Sequence, residues 1–446
     1  MHGAAPTAAE VIFGLSPLAV SLAVFVFTYV VIVTEKINRS IVSLLGAGLM
    51  IFSGVLHQSE AFAGVDFNTI GLLTGMMVIV AITQKSGVFQ YVAIVSAKAV
   101  KADPWRLMVM LSVVTAVFSA LLDNVTTVLL IAPVTLLITD ALRISPYPYL
   151  FLVIFASNIG GTATLIGDPP NIMIGSAVGL TFNDFLFNLT PIAAVVFALT
   201  LIPIYFIWGR KLKAADEDRA QVMAFNEKEA ITDVRLLKQS LTVIALVIGG
   251  FIMAHSLHQE PGTIAMFGAA LLLLLRAWGK NAEEQSHEVH HSYAEVEWVT
   301  IFFFVGLFVV VAGIEKAGAL SILAEQIVEL TGGDFKVTAY AILWVSAVLS
   351  AVVDNIPFVA TMIPVIQSMG AVFGPENLTP LWWSLALGAC LGGNGTLVGA
   401  SANLVVAGFA ERAGQPIRFL PFMLMAFPLM LLSIAVSTVY LYWRYL

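Results

Sequence analysis

LLDNVTTVLLIAPV (121–134) and VVDNIPFVATMIPV (352–365) decide the fold. Each sets an acidic pair, Asp123-Asn124 or Asp354-Asn355, midway along an apolar run (105–143 and 337–370). An ionised Asp at the centre of a membrane span costs about 2.5–3.5 kcal/mol on insertion scales, so it needs a partner or a purpose. We read each run as a re-entrant helical hairpin that breaks at its Asp and leaves the bilayer on the side it entered. Broken backbone at that depth survives only where protein or a wet cavity surrounds it.

The two runs belong to a longer internal repeat. Adding 231 takes Asp123 to Asp354, Asn124 to Asn355, Gly75 to Gly306, Lys85 to Lys316, Gly87 to Gly318 and Pro133 to Pro364. QKSGVF (84–89) answers EKAGAL (315–320). Adding 232 takes GGTATLIGDPPN (160–171) to GGNGTLVGASAN (392–403). Gly160, Gly161, Thr164, Gly167 and Asn171 thereby become Gly392, Gly393, Thr396, Gly399 and Asn403. Chance matching of apolar helices explains leucines and valines, but not polar residues, glycine and proline in register.

Composition agrees with a bilayer setting. The 446 residues are 59% hydrophobic and 11% charged, against about 25% charged in soluble proteins. Ten spans are expected near 13–34, 40–56, 68–84, 148–177, 186–209, 239–257, 262–278, 298–315, 380–408 and 419–443. The opening MHGAAPTAAE has no basic n-region, so the first apolar stretch reads as a retained span. The single cysteine, Cys390, allows no intramolecular disulfide or Cys-rich metal site.

Five spans fit each half, and an odd number inverts the second half against the first. The expected fold is an all-α polytopic membrane protein with two inverted repeats, 1–209 and 239–446, joined by a cytoplasmic linker, 210–238. Each repeat holds five transmembrane helices, a re-entrant hairpin and a broken helix. With both termini outside, 18 of the 21 Lys and Arg fall on the cytoplasmic side, leaving Lys316, Lys336 and Arg444 outside. The location expected is the plasma (bacterial inner) membrane. The stretches 88–100 and 319–330 read as interfacial amphipathic helices. Lys85 and Lys316 read as snorkelling residues.

Inverted repeats place a binding site at the midplane, where broken helices meet. The ion- and solute-binding candidates are Asp123, Asn124, Thr162, Thr164, Asp168, Asn171, Asp354, Asn355, Asn394, Thr396 and Asn403. Asp123 and Asp354 can cap the following half-helix, bind a proton or cation, or do both. Gly160, Gly161, Gly167, Gly392, Gly393 and Gly399 permit unwound backbone and hinging. Asp168 stands before Pro169, while Ala400 takes its place in the second half, so the half-sites differ chemically. Cys390 reads as a packing residue and His255 as interfacial. The polar stretch 280–297 carries His287, His290 and His291 but reads as a solvated loop, with no metal site. No P-loop pattern is present, so no ATP hydrolysis by this chain is expected, and no catalytic residue or cofactor beyond a coupling H+ or Na+. A passive channel or an intramembrane aspartyl enzyme fits less well than a secondary transporter, because two symmetric helix breaks suit alternating access.

LLDNVTTVLLIAPVT (121–135) followed by SNIGGTATLIGDPPNIMIG (157–175) resembles the ArsB/NhaD permeases of the ion transporter superfamily, most of all the branch with the P protein. The resemblance implies a transport domain moving elevator-fashion against a scaffold. It implies proton-coupled efflux of arsenite or antimonite, with sodium/proton antiport as the alternative and organic anions as a distant third. The expected partners are a small inorganic solute or ion and the lipid bilayer, with no nucleic acid. A homodimer fits, as does a cytoplasmic ATPase partner if the solute is arsenite. No Arg or Lys falls within the expected midplane site, which argues against a di- or tricarboxylate, although helix N-termini alone could hold one.

Overall fold

The computed structural model describes Val11, residues 14–34 and residues 36–446. The N-terminal decapeptide and Glu35 lie outside the described residues. Every regular element within them is helical. The chain opens with α1 (Pro17–Thr34), α2 (Arg39–Phe52), the short α3 (Gln58–Ala63), α4 (Phe67–Gln84) and α5 (Val88–Ala99). Next come α6 (Pro104–Leu121) and α7 (Asn124–Ala141), which meet at Asp123, then the two pieces of a broken helix, α8 (Tyr147–Thr162) and α9 (Pro169–Val178). α10 (Phe182–Asn188) leads into α11 (Thr190–Ile204), and the linker holds α12 (Asp216–Met223). The second half runs α13 (Val234–Leu257), α14 (Pro261–Ala277), α15 (Ala282–Ala294), α16 (Trp298–Lys316) and α17 (Ala319–Leu330). It continues with the pair α18 (Phe335–Val352) and α19 (Asn355–Phe373), the broken α20 (Thr379–Gly392) and α21 (Ser401–Arg412), and α22 (Phe419–Arg444).

Among the described residues, ten helices are long and apolar enough to cross a bilayer, but they are not the ten spans expected. Both arms of each hairpin qualify, at 18 or 19 residues. The expected spans 148–177 and 380–408 are each split into helices of 10 to 16 residues, too short to cross alone. α2, with 14 residues, and α14, with 17, also fall short. The two splits fall at Gly-rich centres, where glycine favours unwound backbone and, in the first, Pro169 and Pro170 cannot continue the helical ladder.

Local sequence accounts for the boundaries. Asp103 caps α6 through the Arg106 N–H, and Asp334, its repeat counterpart, caps α18 through the Val337 N–H. Gly87 and Gly318 take left-handed φ values of 79° and 83° at the entries to α5 and α17. The histidine stretch is helical rather than a loop, because Asn281 and Glu284 form a reciprocal capping box at the start of α15.

The arms of each hairpin open on a shared side. Arg219 of α12 donates to the Lys101 carbonyl at 3.1 Å, just before α6, and Asp218 meets Arg143, just after α7, at 3.5 Å. In the second pair, the rings of Phe335 and Phe373, at the two open ends, lie 5.2 Å apart. Lys316 meets Glu60 of α3 at 2.6 Å, a bond that holds the Glu60 carboxyl below its usual range.

α4 packs along α14 and α2 along α16, so this group draws on both sequence halves; α6 packs along α8, and α18 along α20. Gly75 and Gly306 let the first two pairs close. A Cβ on either would sit 2.5 Å from backbone of the facing helix, at Ala265 or Ser43. Gly75→Leu and Gly306→Leu are each expected to destabilise the protein by about 1–3 kcal/mol. Gly249→Leu, with nothing within 4 Å of its Cβ, should change little. Thermal unfolding in detergent compares the three, and equal midpoints would refute the packing argument.

Candidate functional site

The hairpin tips and the broken helices are stitched together by matched bonds. Ser119 Oγ donates to the Ser157 carbonyl at 2.5 Å, and Ser350 Oγ to that of Ala389 at 2.6 Å. Thr164 Oγ1 donates to the Ala120 carbonyl and Thr396 Oγ1 to the Ala351 carbonyl, both at 2.5 Å. In the first half the Asn124 N–H also reaches the Gly167 carbonyl at 3.0 Å. The glycines bring these backbones together. A Cβ on Gly160 would lie 2.2 Å from the Ala116 carbonyl oxygen, and one on Gly392 would lie 2.5 Å from that of Ala347. Gly161 and Gly167 face each other across the first break, as Gly393 and Gly399 do across the second.

Asn171 and Asn403 hold the unwound segments open. Asn171 Nδ2 donates to the carbonyls of Gly161, Thr162 and Thr164 at 3.3, 3.2 and 2.9 Å. Asn403 Nδ2 donates to those of Gly393 and Thr396 at 2.7 and 2.8 Å. The amide nitrogens of both residues and the hydroxyls of Thr164 and Thr396 are thus engaged in positioning the backbone. Thr162 Oγ1 bonds the Asn158 carbonyl within α8.

The centre is built around Asn158, which sequence reasoning passed over. Asn158 is fully buried. Its Nδ2 donates to Asn394 Oδ1 at 3.0 Å and to Asn403 Oδ1 at 2.9 Å, and its Oδ1 accepts from Asn124 Nδ2 at 3.2 Å. It therefore joins α8 to the other broken helix and to the first hairpin tip. The repeat offset of 232 takes Asn158 to Cys390. Cys390 makes the mirrored contact, its thiol 3.4 Å from Asn171 Oδ1, with further contacts to Thr162 and Asp168. An Asn inside an apolar helix, aligned by the repeat with the single cysteine, was the available signal. Asn124 Oδ1 and Asn394 Nδ2 are buried without a partner.

The three carboxylates differ. Asp123 caps α7 through Thr126, by the N–H at 2.7 Å and the hydroxyl at 2.5 Å. Asp168, 1% exposed, accepts from Asn355 Nδ2 at 3.3 and 3.4 Å. Asp354 is in an ion pair: its Oδ2 lies 2.7 Å from Arg39 Nη1 and 3.0 Å from Ser401 Oγ. Arg39 comes from the start of α2, which the sequence places in a cytoplasmic loop. The expected site therefore does contain an arginine at its edge, and the argument against carboxylate solutes drawn from the absence of Lys and Arg does not hold.

The sequence model of the citrate transporter family (CitMHS) matches residues 29–388. The chain is 44% identical over 432 residues to an uncharacterised transporter of Mycobacterium tuberculosis, covering 96% of this chain and 98% of that one. It is 32% identical over 508 residues to the human P protein, covering 95% of this chain and 59% of the P protein. The crystal structure of the Alcanivorax borkumensis YdaH transporter shares the fold at a TM-score of 0.59 and 15% identity, over 96% of this chain and 98% of that one. The chain belongs to the citrate transporter family. This corrects the assignment to the ArsB/NhaD permeases, while the likeness to the P protein is present. The chain is a secondary transporter of small solutes rather than an enzyme.

Asn158→Leu strips the donor from Asn394 Oδ1 and Asn403 Oδ1 inside the core. The expected loss is about 1–3 kcal/mol for each buried group left unpaired. Cys390→Ala removes only a weak thiol contact and should cost less. Thermal unfolding of the two purified variants ranks them, and the reverse order would remove Asn158 from the centre of the network.

Proposed function

We propose that this member of the citrate transporter family is an ion-coupled carrier of small carboxylates that works by alternating access between two inverted repeats. The repeats are 1–209 and 239–446, joined by the cytoplasmic linker 210–238. Two contacts support the inversion. The first hairpin opens against α12 of the linker, whereas the second opens where Lys336 stacks on Tyr442, near the far end of α22. In the elevator reading, the hairpins and broken helices move against the α2–α16 and α4–α14 pairs, in the plasma membrane with both termini outside.

One observation carries the reading. Asn124 Oδ1 and Asn394 Nδ2, an acceptor and a donor, are buried and unpartnered beside the Asn158 network, with Asp168 near the same centre. Buried polar groups are ordinarily paired, so these atoms offer themselves to a solute. Asp168 meets only an amide and a thiol. An ionised carboxylate so placed needs a cation or a proton, and we assign it the coupling proton. Asp123, Asp354, Asn355, Thr162, Thr164, Thr396, Asn171 and Asn403 shape the surrounding shell, and the six glycines serve as hinges.

Sodium/proton exchange is the second reading. It is favoured by three carboxylates, Asp123, Asp168 and Asp354, against the one guanidinium of Arg39. Arsenite or antimonite efflux, with an ATPase partner, would use the same uncharged donors, but the family correction removes the reason for preferring it.

Purified protein in liposomes with an imposed pH gradient separates these readings, with citrate, succinate, arsenite and sodium compared. Citrate or succinate uptake that collapses with a protonophore is expected. Asp168→Asn and Asp123→Asn should each cut the gradient-driven component by at least about tenfold while the protein still folds. Undiminished gradient-driven uptake in both variants would end the assignment, and sodium flux without carboxylate flux would select the second reading.

A further inference from the structure

Asp123 and Asp354 occupy equivalent repeat positions, yet they are held in different ways. Thr126 gives Asp123 two short bonds. The repeat offset takes Thr126 to Pro357, which has neither an N–H nor a hydroxyl to give. Asp354 is left with one long cap, from the Ile356 N–H at 3.3 Å. Its other oxygen turns away from its own helix, toward Arg39 and Ser401.

Arg39 is fixed on its own side. Its Nη2 reaches Thr300 Oγ1 of α16 at 3.3 Å, its Nη1 reaches Ser401 Oγ at 2.7 Å, and the guanidinium lies 5.0 Å from the centre of the Phe303 ring. Yet it meets Asp354 through a single nitrogen and a single oxygen. Arginine binds carboxylates best as a two-pronged fork. A cavity of about 280 Å³ opens beside the pair, lined by Asn38, Arg39, Asp354 and Ser401 and by apolar residues from α1 and the second hairpin.

We propose that Arg39 receives a carboxylate of the transported solute, and that Asp354 occupies the guanidinium until that solute arrives. The inference rests on the carboxylate reading above. Asp354 takes up a proton, Arg39 keeps its charge, and the solute carboxylate replaces Asp354 on the fork. The subsite is neutral before and after: one guanidinium against one carboxylate, with Asp354 carrying its proton. One proton thus accompanies one carboxylate at this position. Among the described residues, Arg39 is the one cation in an ion pair with Asp354. The other charged groups near the centre are acidic: Asp168, held by Asn355, and Asp123 at the other tip, with Glu297 of the α16 entry bearing on Asp123. Thr300 and Ser401 contribute hydroxyls only. Arg39 stands on the α2–α16 pair and Asp354 on a hairpin, so the exchange also releases a bond between the two helical groups.

Titration calorimetry on the full-length protein in detergent tests this, with citrate and succinate as probes at pH 6 and pH 8. Wild type should bind more tightly at pH 6. Arg39→Gln should lose at least about tenfold in affinity, and Arg39→Lys should recover only part of it, lacking the fork. Asp354→Asn, which leaves Arg39 free, should bind at pH 8 at least as tightly as wild type does, with a smaller gap between the two pH values. Comparing variants at the same pH cancels ionisation of the ligand itself. Binding by Arg39→Gln equal to wild type would overturn the inference alone, as would weaker binding by Asp354→Asn at both pH values. Failure of wild type to bind either acid would overturn the carboxylate reading and this inference with it.

Discussion

A backbone that breaks in the middle of a membrane must find all its hydrogen bonds inside the protein. That constraint shapes this molecule more than any other. Four helix breaks converge, and each repays the bonds it lost by borrowing from its neighbour. Hairpin tip and broken helix are tied by Ser119, Thr164 and the Asn124 N–H in one half. Ser350 and Thr396 do the same in the other. Asn171 and Asn403 then collect the carbonyls of the unwound segments. Because every tie crosses between elements, neither hairpin nor broken helix satisfies its own backbone alone, and each hairpin is bonded to its broken helix.

The ties are duplicated with high fidelity, whereas the residues facing the centre are not. Ser119 and Ser350, Thr164 and Thr396, and Asn171 and Asn403 are matched pairs, and all of them bind backbone. Asn158 faces Cys390, Thr162 faces Asn394, Asp168 faces Ala400 and Thr126 faces Pro357 in the repeat alignment. A frame that must satisfy the same backbone twice has little freedom to vary. A solute or ion without two-fold symmetry makes unequal demands on the two halves, so the lining has reason to diverge.

This division explains what the sequence made legible. The frame leaves repeated Asp, Asn, Gly and Thr at fixed offsets, and reading them located both hairpin tips and both breaks. It could not show which atoms those residues spend on backbone, so the hydroxyls of Thr164 and Thr396 looked available when they are not. Asn158 escaped because the repeat replaces it with Cys390, and a search for matches passes over a mismatch. Arg39 escaped for another reason. In the sequence it stands just before the expected span 40–56, and only the packing of α2 on α16 brings the guanidinium to Asp354. The expected spans and the ten long helices differ because the hairpin arms are as long as spans, whereas the two expected broken helices are split into pieces of 10 to 16 residues.

Electrostatics then limits what the centre can carry. Asp123, Asp168 and Asp354 are all buried or nearly so, and among the described residues only Asp354 has a cationic partner. Fixed negative charge without compensation repels an anion and attracts a cation, and burial strengthens both effects because little water screens them. An anionic solute can therefore enter only in company with protons or cations that discharge the carboxylates. In such a site coupling is not an addition to binding. On the proposed carboxylate reading, the same charges that would reject a bare carboxylate would make its entry conditional on the coupling ion, and that conditionality would convert an ion gradient into transport of the solute.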